Sequence, residues 1–424
     1  MRKIIVIAYQ MHYKKGSEYS VAWNYTNYMS RNNELVVIYG TSGEYHQIGE
    51  TSEMEKYCND HPLKNVRFVP VKPSFKSKYY DYSIKGQYLF YKEYKKWHEE
   101  VKDIILTLIG KERFDLIHFL GPIGYREPGY SYKYPIPYIW GPVGGFGGAY
   151  PCLLKATCSF KGAVHMSLKR ALNAIQAFTD GRVKRAFRYS DVVICATTEY
   201  QKIITKIAGK GHHSRILYLA ENCITHFYDL NEDKFSKPIN IAFIGRIDEN
   251  KGLIFLLEAL NKVGNHDLNI DVVGEDRLGG KLQKWTKTHH IDHMITWHGL
   301  VPRDKVFEIL NNSHLVAITS LHEGNPTIVW EAMSVGTPIL TLDYKGMHDT
   351  VSEESGFKIK VHSYNQIVND IANTLKKIIG KKEILREKAD MLMKERDLYS
   401  WDKRVLFFED VYKLAEEQFN NRDY

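Results

Sequence analysis

Short apolar runs rich in β-branched residues alternate with longer stretches of helical period along the whole chain. In the first half, "KIIVIAYQ" (3–10), "ELVVIYG" (34–40), "VRFVPV" (66–71), "FDLIHFL" (114–120), "IPYIW" (136–140) and "DVVICAT" (191–197) predict buried strands, several separated by helices. A second series runs "INIAFIG" (239–245), "LNIDVVG" (268–274), "ITWHG" (295–299), "LVAITS" (315–320) and "TPILTLD" (337–343). Alternating β and α implies parallel sheets covered on both faces. Two consecutive series imply an α/β protein of two facing, doubly wound Rossmann-like domains with a cleft between them. The polar stretch "ENCITHFYDLNEDKFSKP" (221–238) marks the boundary, giving a first domain of 1–222 and a second of 223–400. "YSWDKRVLFFEDVYKLAEEQF" (399–419) reads as a closing amphipathic helix. Ligands of such sheets bind at the carboxyl ends of the strands, so chemistry is expected in the loops there.

Composition narrows the partners. A chain of 424 residues is long enough for two cores. The net charge of +8 is a mild excess that suits anionic ligands or an anionic membrane surface. The chain has neither a basic block nor a nucleic-acid module, which argues against nucleic acid as a partner. Five cysteines without a CxxC pair suggest reduced thiols in a cytosolic protein. The start turns polar after one short apolar run, so it reads as a buried strand and not a signal peptide. No run reaches about 18 apolar residues, so any membrane contact is peripheral. "PSFKSKYYDYSIKGQYLFYKEYKKW" (73–97) interleaves lysines with aromatics. That pattern fits a solvated helix pair with a buried aromatic stripe, a peripheral membrane face, or a single-strand nucleic-acid surface.

Two loops carry charge at strand ends. "LHEGNPTIVWEAM" (321–333) follows the strand "LVAITS". Asn325 suits an N-cap and Pro326 the first helical position. The amides of Thr327, Ile328 and Val329 would then point out of the helix as an anion site, with Glu323 before it and Glu331 inside the helix. Two carboxylates around a phosphate-sized hole fit a nucleotide sugar; an ordinary capped helix with one half-exposed glutamate fits as well. In "FIGRIDENKGLIFLLEAL" (243–260), Arg246 and Lys251 lie on the loop before a helix that starts near Gly252. They can hold a diphosphate, or they are solvated surface cations. His289 and His293 in "KTHHIDH" (287–293) have the spacing of a metal pair but fall in a polar connection.

"GRIDENKG" (245–252), followed by "ITWHGLVPRDKVFEILNNSHLVAITSLHEGNPTIVWEAMSVGTPIL" (295–340), resembles the C-terminal half of family 4 glycosyltransferases. These are retaining enzymes of the GT-B fold that use nucleotide-diphosphate sugars. Glu323 and Glu331 match the family's E-x7-E motif. The match covers about 239–360. In the looser first half, "YIWGPVGG" (138–145) is similar to a subgroup that decorates bacterial cell-surface polysaccharides such as O-antigen, capsule or exopolysaccharide.

The resemblance implies a role for each matching residue. Arg246 and Lys251 would neutralise the donor diphosphate, aided by Gly324, Pro326 and the amides of Asn325, Thr327 and Ile328. Glu331 would hold the ribose hydroxyls and Glu323 the transferred sugar. The base would lie by Gly299 and Leu300, near Gly274 and Glu275. Gly16 in "YKKGSE" would approach the diphosphate, although Lys15 stands where a second glycine is common. His118 would touch the donor sugar, although Leu120 replaces a second histidine. Trp140, Gly141, Gly144 and Gly145 of "WGPVGGFGG" (140–148) would shape the acceptor region. Cys223 and Thr225 replace a common Gly and Asp at the interdomain turn.

No metal or other cofactor is expected. The expected donor is a UDP-sugar, and the acceptor a glycan or lipid-linked glycan. Residues 401–424 are expected to return to the first domain. The protein is expected in the cytoplasm or on the inner face of the cytoplasmic membrane. The rival readings are another GT-B enzyme, such as a nucleotide-sugar epimerase or phosphorylase, and a non-catalytic sugar-binding partner. The full C-terminal pattern argues against the first, and the joint presence of Arg246, Lys251, Glu323 and Glu331 against the second.

Overall fold

A computed structural model describes residues 1–424 except 17, 41–47, 73–83, 158–159, 265–267 and 423–424; for 48–52, 84–88, 157, 161 and 169 it describes the backbone alone. The chain forms two compact units. Residues 1–146, 175–221 and 401–424 make the first; residues 147–174 and 222–400 make the second.

The first unit holds seven parallel strands: β1 (Lys3–Ala8), β2 (Glu34–Tyr39), β3 (Val66–Pro70), β4 (Leu116–Gly121), β5 (Tyr138–Val143), β6 (Val192–Cys195) and β7 (Arg215–Tyr218). Their order is β3-β2-β1-β4-β5-β6-β7. The second unit holds six: β8 (Ile239–Ile244), β9 (Leu268–Val273), β10 (Ile295–Gly299), β11 (Leu315–Ile318), β12 (Ile339–Leu342) and β13 (Gly356–Ile359). Their order is β10-β9-β8-β11-β12-β13, again parallel. The pattern of β1 explains its place. Ile4 to Ala8 are all buried, as both faces of a central parallel strand must be. The edge strands β7 and β13 have half-buried, mixed sequences, so neither stands out as an apolar run.

Each sheet has a point where strand order reverses: between β1 and β4 in the first, between β8 and β11 in the second. In parallel sheets, ligand sites are expected at the carboxyl edge by such a reversal, where the loops after β8 and β11 lie.

Two segments differ from expectation. Chain order assigns residues 147–174 to the first domain, yet Ala149, Leu153 and Ala156 belong to the core of the second unit. In the segment 73–97, residues 73–83 lie outside the described residues, and the rest enters a helix, Ile84–Lys111. There Phe90, Tyr94, Trp97, Val101 and Ile105 are buried in the first core, at the three- and four-residue steps of one helix face. The described aromatic stripe is therefore core, not a membrane face.

The helix Trp401–Asn420 belongs to the first unit. Its Phe408, Val411, Tyr412 and Ala415 are buried. Arg2 binds it from the start of β1, with Nη1 2.6 Å from Glu409 and Nε 2.6 Å from Glu416.

Candidate functional site

The second unit's site begins with backbone. Three neighbouring strands end on glycines in the left-handed region: Gly245 after β8 (φ 149°), Gly274 after β9 (φ 144°) and Gly299 of β10 (φ 65°). Gly245 N–H bonds Val273 O at 2.9 Å, and Gly274 N–H bonds Gly299 O at 2.8 Å. A Cβ at Gly274 would overlap the Gly245 carbonyl. The result is a shelf without side chains at the carboxyl edge. Leu300, next to Gly299, is 78% exposed, and Glu275 pairs with Arg277 at 2.7 Å.

Asp248 folds the loop after β8. Its carboxylate accepts from Asn250 N (2.9 Å), Lys251 N (3.1 Å) and Arg246 Nε (3.1 Å). This is an Asx turn that also fixes a cation. Gly252 then caps the helix Leu253–Val263 at φ 63°, where a Cβ would overlap the Thr319 carbonyl. Thr319 Oγ1 donates to Gly252 O at 2.9 Å, Leu321 N–H to Asn250 O at 2.6 Å, and Asn250 Nδ2 to His322 O at 3.1 Å. The loops after β8 and β11 are thus joined, and the Lys251 ammonium bonds the Glu323 carboxylate.

The helix after β11 is Thr327–Ser334, with Pro326 as its N-cap. Sequence placed the cap one residue earlier, at Asn325. Asn325 is instead buried, with Oδ1 accepting from Thr350 Oγ1 at 2.6 Å. Val329 N–H closes a turn onto Pro326 O at 3.0 Å, which removes it from the expected trio of amides and leaves Thr327 and Ile328. Gly324 presses against Gly346, where a Cβ would overlap its carbonyl. Ile328, Val329, Trp330, Ala332, Met333 and Ser334 are buried; Thr327 and Glu331, one turn apart, form the open face. That spacing explains a charge inside an apolar helix. Burial pushes the Glu331 carboxyl above the usual range, and Arg303, 3.0 Å away, holds it down.

Arg246, Lys251, Glu323, Glu331 and the Thr327 and Ile328 amides therefore all lie on loops or first turns at the carboxyl edge of one sheet. Chemically, the cations and amides can meet an anion, and the carboxylates can accept from hydroxyls. Sequence reading placed the helix start at Gly252 but missed Asp248, Thr319 and Arg303. The Asp-x-Asn spacing in "GRIDENKG" is the turn signal that would have found the first.

The first-unit candidates fare differently. His118 is fully buried. Its Nε2–H donates to Gly141 O at 2.9 Å, and its Nδ1 accepts from Tyr25 O–H at 3.0 Å; the Tyr25 oxygen accepts in turn from Tyr412. Burial lowers its pKa to about 4, so it is neutral. With no surface to offer a sugar, His118 is a core residue, which corrects its expected place at the donor. Trp140 is corrected likewise: it is 2% exposed and stacks between Phe119 and Phe187. Gly141 has φ 141°, and a Cβ would overlap the Ile194 carbonyl, so packing explains it. Gly144 bonds Ile123 O at 2.6 Å, and Gly145 (φ 85°) turns the chain. Gly16 precedes the helix Glu18–Met29 with open space around its Cα; the expected cap, Ser17, lies outside the described residues. His289 caps the helix Lys281–Thr288 and His293 lies in the next turn, Asp292–Met294, so the two do not share a helix.

Residues 228–390, all within the second unit, match the family model described as "Glycosyl transferases group 1". The chain is 24% identical over 181 residues to the uncharacterized glycosyltransferase MJ1607 of Methanocaldococcus jannaschii, covering 42% of this chain and 45% of that protein. It is 25% identical over 305 residues to the putative teichuronic acid biosynthesis glycosyltransferase TuaC of Bacillus subtilis, covering 68% and 70%. The chain spans less than half the length of the first curated relatives it matches. Among solved structures it resembles Anabaena HepE in complex with UDP and glucose, at a TM-score of 0.57 and 14% identity, covering 97% of this chain and 100% of HepE. With its two parallel Rossmann-like sheets, the fold is GT-B.

Proposed function

We propose that the protein is a retaining glycosyltransferase. It moves a sugar from a UDP-sugar to a glycan acceptor, carried on lipid, during assembly of a bacterial cell-surface polysaccharide. The observation that carries this reading is the joining of Lys251 and Glu323 across the strand-order reversal, beside Arg246 and the amides of Thr327 and Ile328. The group 1 match over the same residues supports it, as do the likenesses to the teichuronic acid glycosyltransferase TuaC and to UDP-bound HepE.

In this reading the donor displaces the internal pairing. Lys251 and Arg246 turn to the diphosphate, and Glu323 is released to the hydroxyls of the sugar. Glu331 accepts from the ribose diol, and the base lies on the glycine shelf against bared Leu300. The acceptor oxygen forms a bond to the anomeric carbon on the face that the diphosphate leaves. The bond to the phosphate oxygen breaks, and that oxygen takes the acceptor proton. The products are the glycosylated acceptor and UDP. Charge growing on the leaving group is met by Arg246, Lys251 and the helix amides, so the step needs no bound metal. The protein works at the inner face of the cytoplasmic membrane, where lipid-linked glycans are assembled.

The test is incubation with labelled UDP-sugars and lipid-linked acceptor. Transfer that falls about 100- to 1000-fold in Arg246→Ala and in Lys251→Ala, with the fold intact, supports the reading. UDP-sugar binding without turnover would instead identify a non-catalytic partner.

A further inference from the structure

A lysine seldom takes a left-handed backbone or leaves water, because each carries a cost. Lys345, in the loop after β12, does both: its φ is 51° and it is 4% exposed. Such strain persists where the surroundings fix it, and it clusters at working sites. The next residue, Gly346, packs against the Gly324 carbonyl, so this loop braces the loop of Glu323. The Lys345 ammonium lies 6.0 Å from the Tyr150 ring centre and 5.8 Å from that of Tyr344. It also lies against Gly147, 3.6 Å from where a Cβ there would stand.

Gly147, at φ 71°, opens a bend over 147–150 that belongs to the same unit as Lys345. The carbonyls of the bend are tied down: Gly147 O accepts from Asn173 Nδ2 at 2.7 Å and Ala149 O from Arg170 Nη1 at 3.4 Å. Its amides are not. Gly148 and Ala149 are buried, yet among the described residues nothing accepts from the N–H groups of Gly147, Gly148 or Ala149. Buried amides are almost always bonded, so this row asks for an acceptor. Arg170, on the helix Phe160–Thr179, stands beside it. Its Cβ is 2.9 Å from where a Cβ on Gly148 would be, and its guanidinium carbon is 5.8 Å from the Tyr150 ring centre. Among the described residues no carboxylate pairs with Arg170.

We propose that Lys345, Arg170 and the amides of residues 147–149 form an oxyanion site, made of residues other than the diphosphate cations Arg246 and Lys251. Successive amides at a bend make an anion-binding hollow, and two cations beside them add charge-assisted bonds. The ligand is an anionic group of the acceptor: a phosphate, or a carboxylate on a sugar ring. Bound there, it lies beside the loop that carries Glu323, and a neutral acceptor would forgo these bonds. Assigning the anion to the acceptor rests on the transfer reaction proposed above; the binding itself does not.

The test is calorimetric titration of the full chain, saturated with UDP to fill the donor loop, with methyl phosphate and separately with acetate. Saturable binding is expected, and the tighter probe tells phosphate from carboxylate. Lys345→Met and Arg170→Met should each weaken it about tenfold or more, the loss of one charge-assisted bond, while UDP affinity is kept. Melting curves without ligand check folding. Arg170 is half-buried, so its variant reads binding even if the loop of Lys345 gives way in the other. If UDP does not bind, the donor reading fails alone, and the titration is repeated on the Arg246→Ala, Lys251→Ala protein. The proposal is overturned if neither probe binds saturably, or if the folded variants bind it as the wild type does. It is also overturned if the variants lose UDP affinity as much as probe affinity, which would make both cations part of the donor site.

Discussion

The Lys251 ammonium, on the loop after β8, bonds the Glu323 carboxylate, on the loop after β11. Seventy-two residues separate them in sequence. The pair stands where the strand order reverses, so each group holds the other until a ligand replaces it. Glu323→Gln should free Lys251 for phosphate. We expect tighter UDP binding by calorimetry, together with transfer reduced about 100-fold or more, because the sugar exchanges a charged acceptor for a weaker neutral one. Lys251→Ala should weaken both. Equal loss of UDP affinity in the two variants would refute this division of roles.

Glu331 should set the acid limit of donor binding. Burial raises its pKa, so as pH falls its carboxylate is lost earlier than an ordinary glutamate's. A protonated carboxyl accepts fewer ribose hydrogen bonds, and donor KM rises. Arg303→Ala removes the cation that restrains the shift, and the limb should move to higher pH. Arg303 is half exposed and Glu331 mostly buried, so the displacement is expected to be toward higher pH and to shrink as salt screens the pair in the wild type. Glu331→Gln should flatten the limb. KM–pH profiles of the three proteins decide the matter.

Gly274 closes on the Gly245 carbonyl at a φ that disfavours side chains. Gly274→Ala should strain the shelf by about 1–3 kcal/mol and displace the loop that carries Arg246. The expected result is a lower melting temperature and a higher donor KM. A variant with wild-type values of both would show that the shelf gives way freely.

His118 predicts stability and not catalysis. Unfolded, it takes a proton below about 6.5; folded, it resists until about 4. Between those values the unfolded chain binds more protons, so stability falls as pH drops through that window. His118→Phe should remove this contribution to the acid slope. It also leaves Gly141 O and a tyrosine hydroxyl unsatisfied, at about 1–3 kcal/mol each, while donor KM stays unchanged. Chemical denaturation at several pH values and donor kinetics check both parts.

The second unit was the more legible in sequence. Its strand-end charges lie close to their strands, so position along the chain already gives position at the edge. Glu331 is the clearest case, because the helical repeat alone puts it over Thr327. Asn325 and Val329 were misread by a single residue of helix start, where local bonding to Thr350 and Pro326 decides. The first unit was harder. His118 and Trp140 have polar or amphipathic side chains in the middle of β4 and β5, and only tertiary contacts reveal that each is covered. Residues 147–174 fold into the other core, which chain order conceals.

The place of the helix Trp401–Asn420 has a consequence for synthesis. Every residue of the second unit leaves the ribosome before residue 401, so that unit can close while the chain is still growing. The first unit cannot. Until this helix emerges, Arg2 lacks Glu409 and Glu416, Tyr25 lacks Tyr412, and the Ala220 carbonyl lacks Arg404. The half of the protein made first is therefore the half completed last, and its open sheet must be kept from aggregating in the meantime.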